Sequence, residues 1–181
     1  MKKKTLPLLL AAALLLSGCG RKDEARFDAF AAELRERGDL VITAEVRAEQ
    51  EDSTCSFTLR YADGADGGCV VEVIEPELIR GVRARVSADG TKLVYDSVAV
   101  DTGDDGGTGL SPMGALPLLV RALRNGSPDS VWKESGELAV RLVPEDDVDV
   151  TVLFDAEMTP QYAEIAHDGK AVLFIKIADF S

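Results

Sequence analysis

Histidine is almost missing from this chain. His167 is the only one in 181 residues, and three cysteines accompany it. That is too few soft ligands for a zinc site built on several His and Cys side chains. No serine sits in a Gly-x-Ser-x-Gly setting, and no phosphate-cradling glycine loop follows a strand-like run. Positive charge is also short, with 20 Lys and Arg against 32 Asp and Glu, a net charge of −12. Nucleic acid needs a basic footprint, so it is not expected as a partner. The same balance argues against purely electrostatic attachment to anionic lipid. No internal repeat or second domain boundary appears. The apolar run Leu6–Leu16, broken only by Pro7, falls well below the ~20 residues of a membrane-spanning helix. No enzyme, no metal and no cofactor is therefore expected.

What is present begins at the N-terminus. Lys2, Lys3 and Lys4 form a basic segment, Leu6–Leu16 an apolar one, and small residues lead directly into Cys19. This is the layout of an export signal. Leu16-Ser17-Gly18-Cys19 resembles the bacterial lipobox. The resemblance implies cleavage before Cys19, a diacylglyceryl thioether on its sulfur, and a chain held at a membrane through that N-terminal lipid. The expected organisation is a signal peptide over 1–18, a lipidated tether over 19–22 and one domain over 23–181. Cleavage removes 18 residues and leaves 163, and the loss of three lysines takes the net charge from −12 to −15. With 46% apolar residues the remaining chain has enough material for a core. Its expected place is the extracytoplasmic face of a cell membrane. A Gram-positive surface is favoured and an outer membrane is the alternative; Gly20 after Cys19 is not the aspartate that retains lipoproteins at a Gram-negative inner membrane, and it does not separate these two.

Two thiols remain, Cys55 and Cys69, flanking the turn-like run 62–68. In a simple hairpin Cys69 would stand opposite Tyr61 or Ala62, leaving Cys55 near ~20 Å away along the strand. A disulfide needs Cα atoms within roughly 7 Å. Two buried thiols are the favoured expectation, with an intermolecular bridge, and hence a homodimer, left open.

Along the domain, Phe27, Phe30, Ala31 and Leu34 recur at helical spacing, which predicts a helix over 23–37 ended by Gly38. From Asp39 the period changes to two. Val41–Glu49 puts Ile42, Ala44, Val46 and Ala48 on one face. Strands over 54–61, 70–74, 79–87, 92–95 and 97–100 follow, with Pro76 ending the third of these six and residues 88–90 turning a hairpin. Residues 101–107 read as an acidic loop. Ser111 and Pro112 open a second helical stretch, in which Leu116, Leu119, Val120 and Leu123 form a stripe while Arg121, Arg124 and Asn125 face away. Pro117 is expected to reset its start, and Gly126 to stop it. Strands return over 130–133, 137–143, 148–154, 162–167 and 171–178. This pattern calls for an α+β fold: a single curved antiparallel sheet with both helices covering its concave face.

The central block Glu75-Pro76-Glu77-Leu78-Ile79-Arg80-Gly81 and on to Val86, then Asp89-Gly90 and Leu93-Val94-Tyr95-Asp96, with Met158-Thr159-Pro160 before the last hairpin, resembles the LolA/LolB-like outer-membrane lipoprotein carriers. It is closest in style to small Gram-positive lipoproteins of the GerS type. The resemblance implies an open half-barrel whose concavity takes a lipid or lipoprotein, or serves as a platform for a protein. The cavity or interface candidates are Val46, Phe57, Leu59, Val73, Leu116, Leu119, Val120 and Leu123. The second helix could line such a cleft or plug it, and plugging is the favoured expectation.

Asp101-Thr102-Gly103 matches the triplet of retroviral-type aspartic proteases, whose chemistry needs two aspartates sharing a proton. Only one triplet occurs, so a homodimer would have to supply the other, and Asp104 and Asp105 would disturb the pair. A protease acting through Asp101 is therefore the remote alternative. The same aspartates lack the spacing and closing Glu of an EF-hand. Glu145, Asp146, Asp147 and Asp149 read as a solvated turn, and His167 as exposed. The leading expectation is a non-enzymatic, membrane-anchored binding or scaffold module for an envelope protein or lipid ligand. The alternative is a carrier with an open acyl-binding cavity.

Overall fold

The computed structural model describes residues 18–50, 53–64, 67–87, 90–95, 98–103 and 110–181. The basic and apolar segments read as an expected export signal, the hairpin residues Ala88 and Asp89, and the acidic run 104–107 lie outside them.

Helix α1 spans Gly18–Glu36. Phe27, Ala31 and Leu34 are its buried positions, and the half-buried Phe30 packs beside them, so the apolar stripe is the one the periodicity predicts. The helix starts five residues earlier than expected. The segment 19–22, read as a tether, belongs to its first turns. Helix α2 spans Pro112–Asn125. Ser111 caps it, accepting a hydrogen bond from the Gly114 N–H at 3.2 Å. Pro117 does not reset the start. It sits inside the helix, where it removes only the N–H that would reach back four residues, within the opening turns. At the other end the Gly126 N–H donates to the Ala122 carbonyl at 2.8 Å. A Cβ on Gly126 would stand 2.5 Å from that oxygen, which only glycine avoids.

Among the described residues eleven strands build one sheet: β1 (Val41–Gln50), β2 (Ser53–Asp63), β3 (Cys69–Glu75), β4 (Arg83–Ser87), β5 (Gly90–Tyr95), β6 (Val98–Gly103), β7 (Pro128–Glu134), β8 (Glu137–Glu145), β9 (Val148–Phe154), β10 (Pro160–His167) and β11 (Lys170–Phe180). Their order across the sheet is β6-β5-β4-β3-β2-β1-β11-β10-β9-β8-β7. All neighbours are antiparallel. Two meanders therefore meet where β1 pairs with β11, Val46 opposite Ile175 and Ala48 opposite Leu173. The sheet is open, with β6 and β7 as its edges.

Alternation sets one face of the sheet inward. Ile42, Ala44, Val46 and Ala48 of β1 are buried together with Leu59, Val71 and Val73 of one wing and Leu142, Val150, Val152, Ile165 and Ile175 of the other. Against them lie α1 and α2. Phe27 and Phe30 of α1 meet Phe154 of β9 edge-on, at centroid distances of 6.1 and 5.1 Å.

Several expectations shift. Residues 77–79 form a 3-10 turn and Gly81 takes φ +85°, so the fourth strand opens at Arg83 and not at Ile79. Cys69 stands opposite Asp63, one to two positions beyond the simple hairpin expectation. Neither thiol is fully buried: Cys55 is exposed, Cys69 is half-buried, and both are free. Asp101-Thr102-Gly103 ends the edge strand β6, with Asp101 opposite Lys92, rather than opening a loop. The acidic cluster at 145–149 is not simply solvated. Glu145 pairs with Arg121, and Asp149 Oδ1 accepts from Arg141 Nη2 at 2.8 Å.

Candidate functional site: a cleft beside helix α2

Helix α2 is wide enough to cover the middle of the concave face but not the β4–β6 end of it. Its stripe Leu116, Leu119 and Leu123 is fully buried in the core. One flank along, Leu118, Val120, Met113 and Pro117 turn toward Ala84 and Val86 of β4 and Leu93 of β5. Between the two rows lies a cleft of about 690 Å³, within the range of small-molecule sites. Plugging and lining are thus both present in one helix, divided by helical phase. Ser87, Thr91 and Ser111 supply hydroxyls at its rim. Among the described lining residues, Arg121 and Arg124 are the charged ones, and none is a carboxylate.

A polar node closes one end. Arg124 was expected to face away from the core. Instead it turns inward with its side chain 19% exposed, against 6% for Asp63. Its Nη1 and Nη2 donate to the two Asp63 carboxylate oxygens at 3.0 and 2.6 Å. Its Nε reaches the Leu34 carbonyl at 3.1 Å, and Nη2 also reaches that of Arg37 at 3.0 Å. Asp63 further accepts from the Tyr61 hydroxyl at 2.8 Å and the Leu40 N–H at 3.0 Å. One ion pair thereby ties α2, the end of α1, the start of β1 and the end of β2. Burial alone would raise the Asp63 pKa, but the hydrogen bonds from Arg124, Tyr61 and Leu40 outweigh it and hold the carboxyl below its ordinary range. Burial, then the bond to Asp63, pushes Tyr61 up. Burial also pushes the Cys69 thiol up to about 11. Tyr61 and Cys69 both line the cleft as neutral groups.

An open antiparallel sheet with two helices in its concavity has counterparts among solved structures. The GerS lipoprotein, in complex with the CwlD amidase from Clostridioides difficile, matches with a TM-score of 0.50 and 16% identity over 87% of this chain and 94% of that one. The fold is like that of this GerS lipoprotein. A LolA superfamily protein from Nitrosomonas europaea aligns with a TM-score of 0.48 and 12% identity, over 87% of this chain and 92% of the other. A domain assigned to outer-membrane lipoprotein sorting from Vibrio parahaemolyticus gives 0.48 and 12%, over 90% and 91%. No family model and no curated sequence matches the chain significantly.

Of the residues singled out from sequence, Val46, Leu59, Val73, Leu116, Leu119 and Leu123 lie in the core between sheet and helices, and Phe57 packs half-buried against it. Val120 alone also lines the cleft. Cys19 falls in the first turn of α1. The sequence reading missed Tyr61, Cys69, Leu118 and Arg124. Ala84 and Val86 carried a usable signal, because they alternate with Arg83 and Arg85. Arg124 carried none, since its partner Asp63 is 61 residues away. Among the described residues no cluster of three or more His, Cys, Asp or Glu could hold a metal ion. No described helix is long and apolar enough to cross a membrane.

Proposed function

We propose that this protein is a membrane-anchored lipoprotein of the extracytoplasmic envelope, held through lipid on Cys19. Its LolA-like domain acts as a non-enzymatic binding module for a protein or lipid partner. The observation that carries the reading is the cleft itself: a largely apolar cavity of about 690 Å³, open beside α2, with no carboxylate among its described lining residues. Burying apolar surface there stabilises a bound group by roughly 25 cal/mol per Å². GerS is bound to an amidase in its complex, which supports a protein as one kind of occupant. The carrier reading, with an acyl chain in the cleft, is favoured by the same openness.

Two measurements separate the parts of this reading. Cys19→Ala should move the full-length protein from the detergent phase to the aqueous phase in a phase-partition assay, and unchanged partitioning would remove the anchor. Native mass spectrometry of the chain from Gly20 should show an added mass of a fatty acid or phospholipid if the cleft carries lipid. Val86→Trp, which fills the cleft from β4, should abolish that adduct. A bare mass turns the assignment to a protein occupant.

A further inference from the structure

The two edges of the sheet are built differently. Edge strand β7 is guarded in the ways that block strand addition. It opens on Pro128, carries Asp129, Lys133 and Glu134, and shifts register between Pro128 and Ser130. It also packs beside α1, where Lys133 Nζ lies 3.8 Å from Asp23. Edge strand β6 reads Val98-Ala99-Val100-Asp101-Thr102-Gly103, with no proline and no lysine. Its register shift lies at the Gly103 end, opposite Thr91 and Lys92. Val98 and Val100 are 63% and 55% exposed, and Tyr95, opposite Val98, is 53% exposed. Directly opposed residues share a face. Leu93, opposite Val100, lines the cleft, so this apolar strip continues the concave wall beyond the cover of α2. Among the described residues no strand pairs with the outer side of β6.

We propose that β6 is a docking edge for an extended, apolar and basic strand of a partner protein, which adds to the sheet as a twelfth strand. Backbone pairing supplies the register, and alternate apolar side chains of the partner cover Val98, Val100 and Tyr95. Charge selects the occupant. Within β6 the strand carries Asp101 and no lysine or arginine, and the chain as a whole carries a net charge of −12, so a basic strand is attracted. A second copy would bring like charge against like. The edge adjoins the cleft wall at Leu93, but no described β6 residue lines the cleft itself, so the proposal rests on the binding-module reading only in requiring a protein partner, and a lipid in the cleft is compatible with it.

The test uses the chain from Gly20, since every core residue among the described ones lies at or after Phe27. The probe is an acetylated peptide of alternating valine and lysine, titrated by calorimetry, with a centrally proline-substituted peptide as control. Saturable binding is expected that weakens as salt rises from about 0.1 to about 1 M. The proline peptide should lose it, and amides of β6 should gain hydrogen-exchange protection. Val98→Lys with Val100→Lys should weaken binding at least about tenfold at an unchanged melting temperature. Val98→Thr with Val100→Thr, a milder pair, should fall between. Absence of saturable binding, equal binding of the proline peptide, or equal binding to the lysine variant would overturn the proposal. So would a sedimenting dimer of the chain alone that the lysine substitutions split, because a second copy would then own the edge. Val86→Trp should leave peptide binding intact, which keeps failure of the cleft reading distinct from failure of this one.

Discussion

Asp63 shows how one carboxylate can hold several elements at once. It accepts from the Arg124 guanidinium, the Tyr61 hydroxyl and the Leu40 N–H. Removing one partner of a largely buried pair leaves the other charged and unmatched, which costs about 3 to 5 kcal/mol. Asp63→Asn is therefore expected to lower the urea-unfolding free energy by about 3 kcal/mol at neutral pH, the low end of that range. The pH dependence follows from the direction of its shift. The folded pKa lies below the unfolded value of about 3.9, so the contribution is present above about pH 4 and lost as pH falls through the folded pKa. The gap between wild type and Asp63→Asn should close in acid, and a gap that stays constant would mean the carboxylate is not the source. Cys69 behaves in the opposite sense. Its thiol pKa is raised to about 11, so its contribution is present at neutral pH and lost as pH rises from about 9 toward 11. Thiolate is the reactive form. At pH near 8, peptide mass mapping should find exposed Cys55 alkylated by iodoacetamide well before Cys69.

At the scale of the element, α2 divides its work by face. Leu119 lies at the centre of the core with no exposure, and Leu119→Ala should cost about 2 to 5 kcal/mol through lost contacts and the cavity left behind. Ser111→Ala removes only a cap and should cost about 1 kcal/mol. Val98→Thr on the exposed face of β6 should stay within about 0.5 kcal/mol of wild type. The order of these three in thermal unfolding checks which faces are inside. A Val98→Thr loss as large as that of Leu119→Ala would mean that something covers β6. The turn between β9 and β10 is an element of a different kind. Asp155 accepts from the Glu157 and Thr159 N–H groups at 3.0 and 2.8 Å, while Met158 takes φ +67°. That local bond network explains why a chain with Met158-Thr159-Pro160 can reverse so tightly there.

Across the whole molecule, α1 joins the expected anchor to the fold without a flexible linker. Phe27 and Phe30 close over Phe154 of β9, and the Arg26 Nη2 donates to the Ala156 carbonyl at 2.8 Å. A chain begun at Asp39 would leave Phe154 without the Phe27 and Phe30 rings that pack on it. It should lose cooperative unfolding by near-ultraviolet circular dichroism while retaining β-sheet signal. Retention of a sharp transition would show that α2 alone closes the concavity. The sheet order sets α1 and its Cys19 turn beside β7, with β6 at the opposite edge.

Most strands, both helices and the inward alternation of β1 were legible in the sequence, because period and turn chemistry are local properties. Val148–Phe154 alternates visibly, and Gly38 and Gly126 mark helix ends. The start of α1 was not legible, since its first turns carry no apolar stripe to count. Nor was the inward turn of Arg124: its helical position looks solvent-facing, and its partner Asp63 sits in what reads as a polar hairpin end. The split of α2 into a plugging and a lining face was hidden for a related reason. Leu118 and Leu119 are neighbours in sequence, equally apolar and both buried in the core, and only the reach of the sheet around the helix leaves Leu118 lining the cleft as well. By itself, then, the amino-acid order determined most of the elements and their alternation. Tertiary structure decided the cleft, the Asp63–Arg124 node and the unguarded β6 edge, because each depends on residues brought together by a sheet whose central pair joins the first strand to the last.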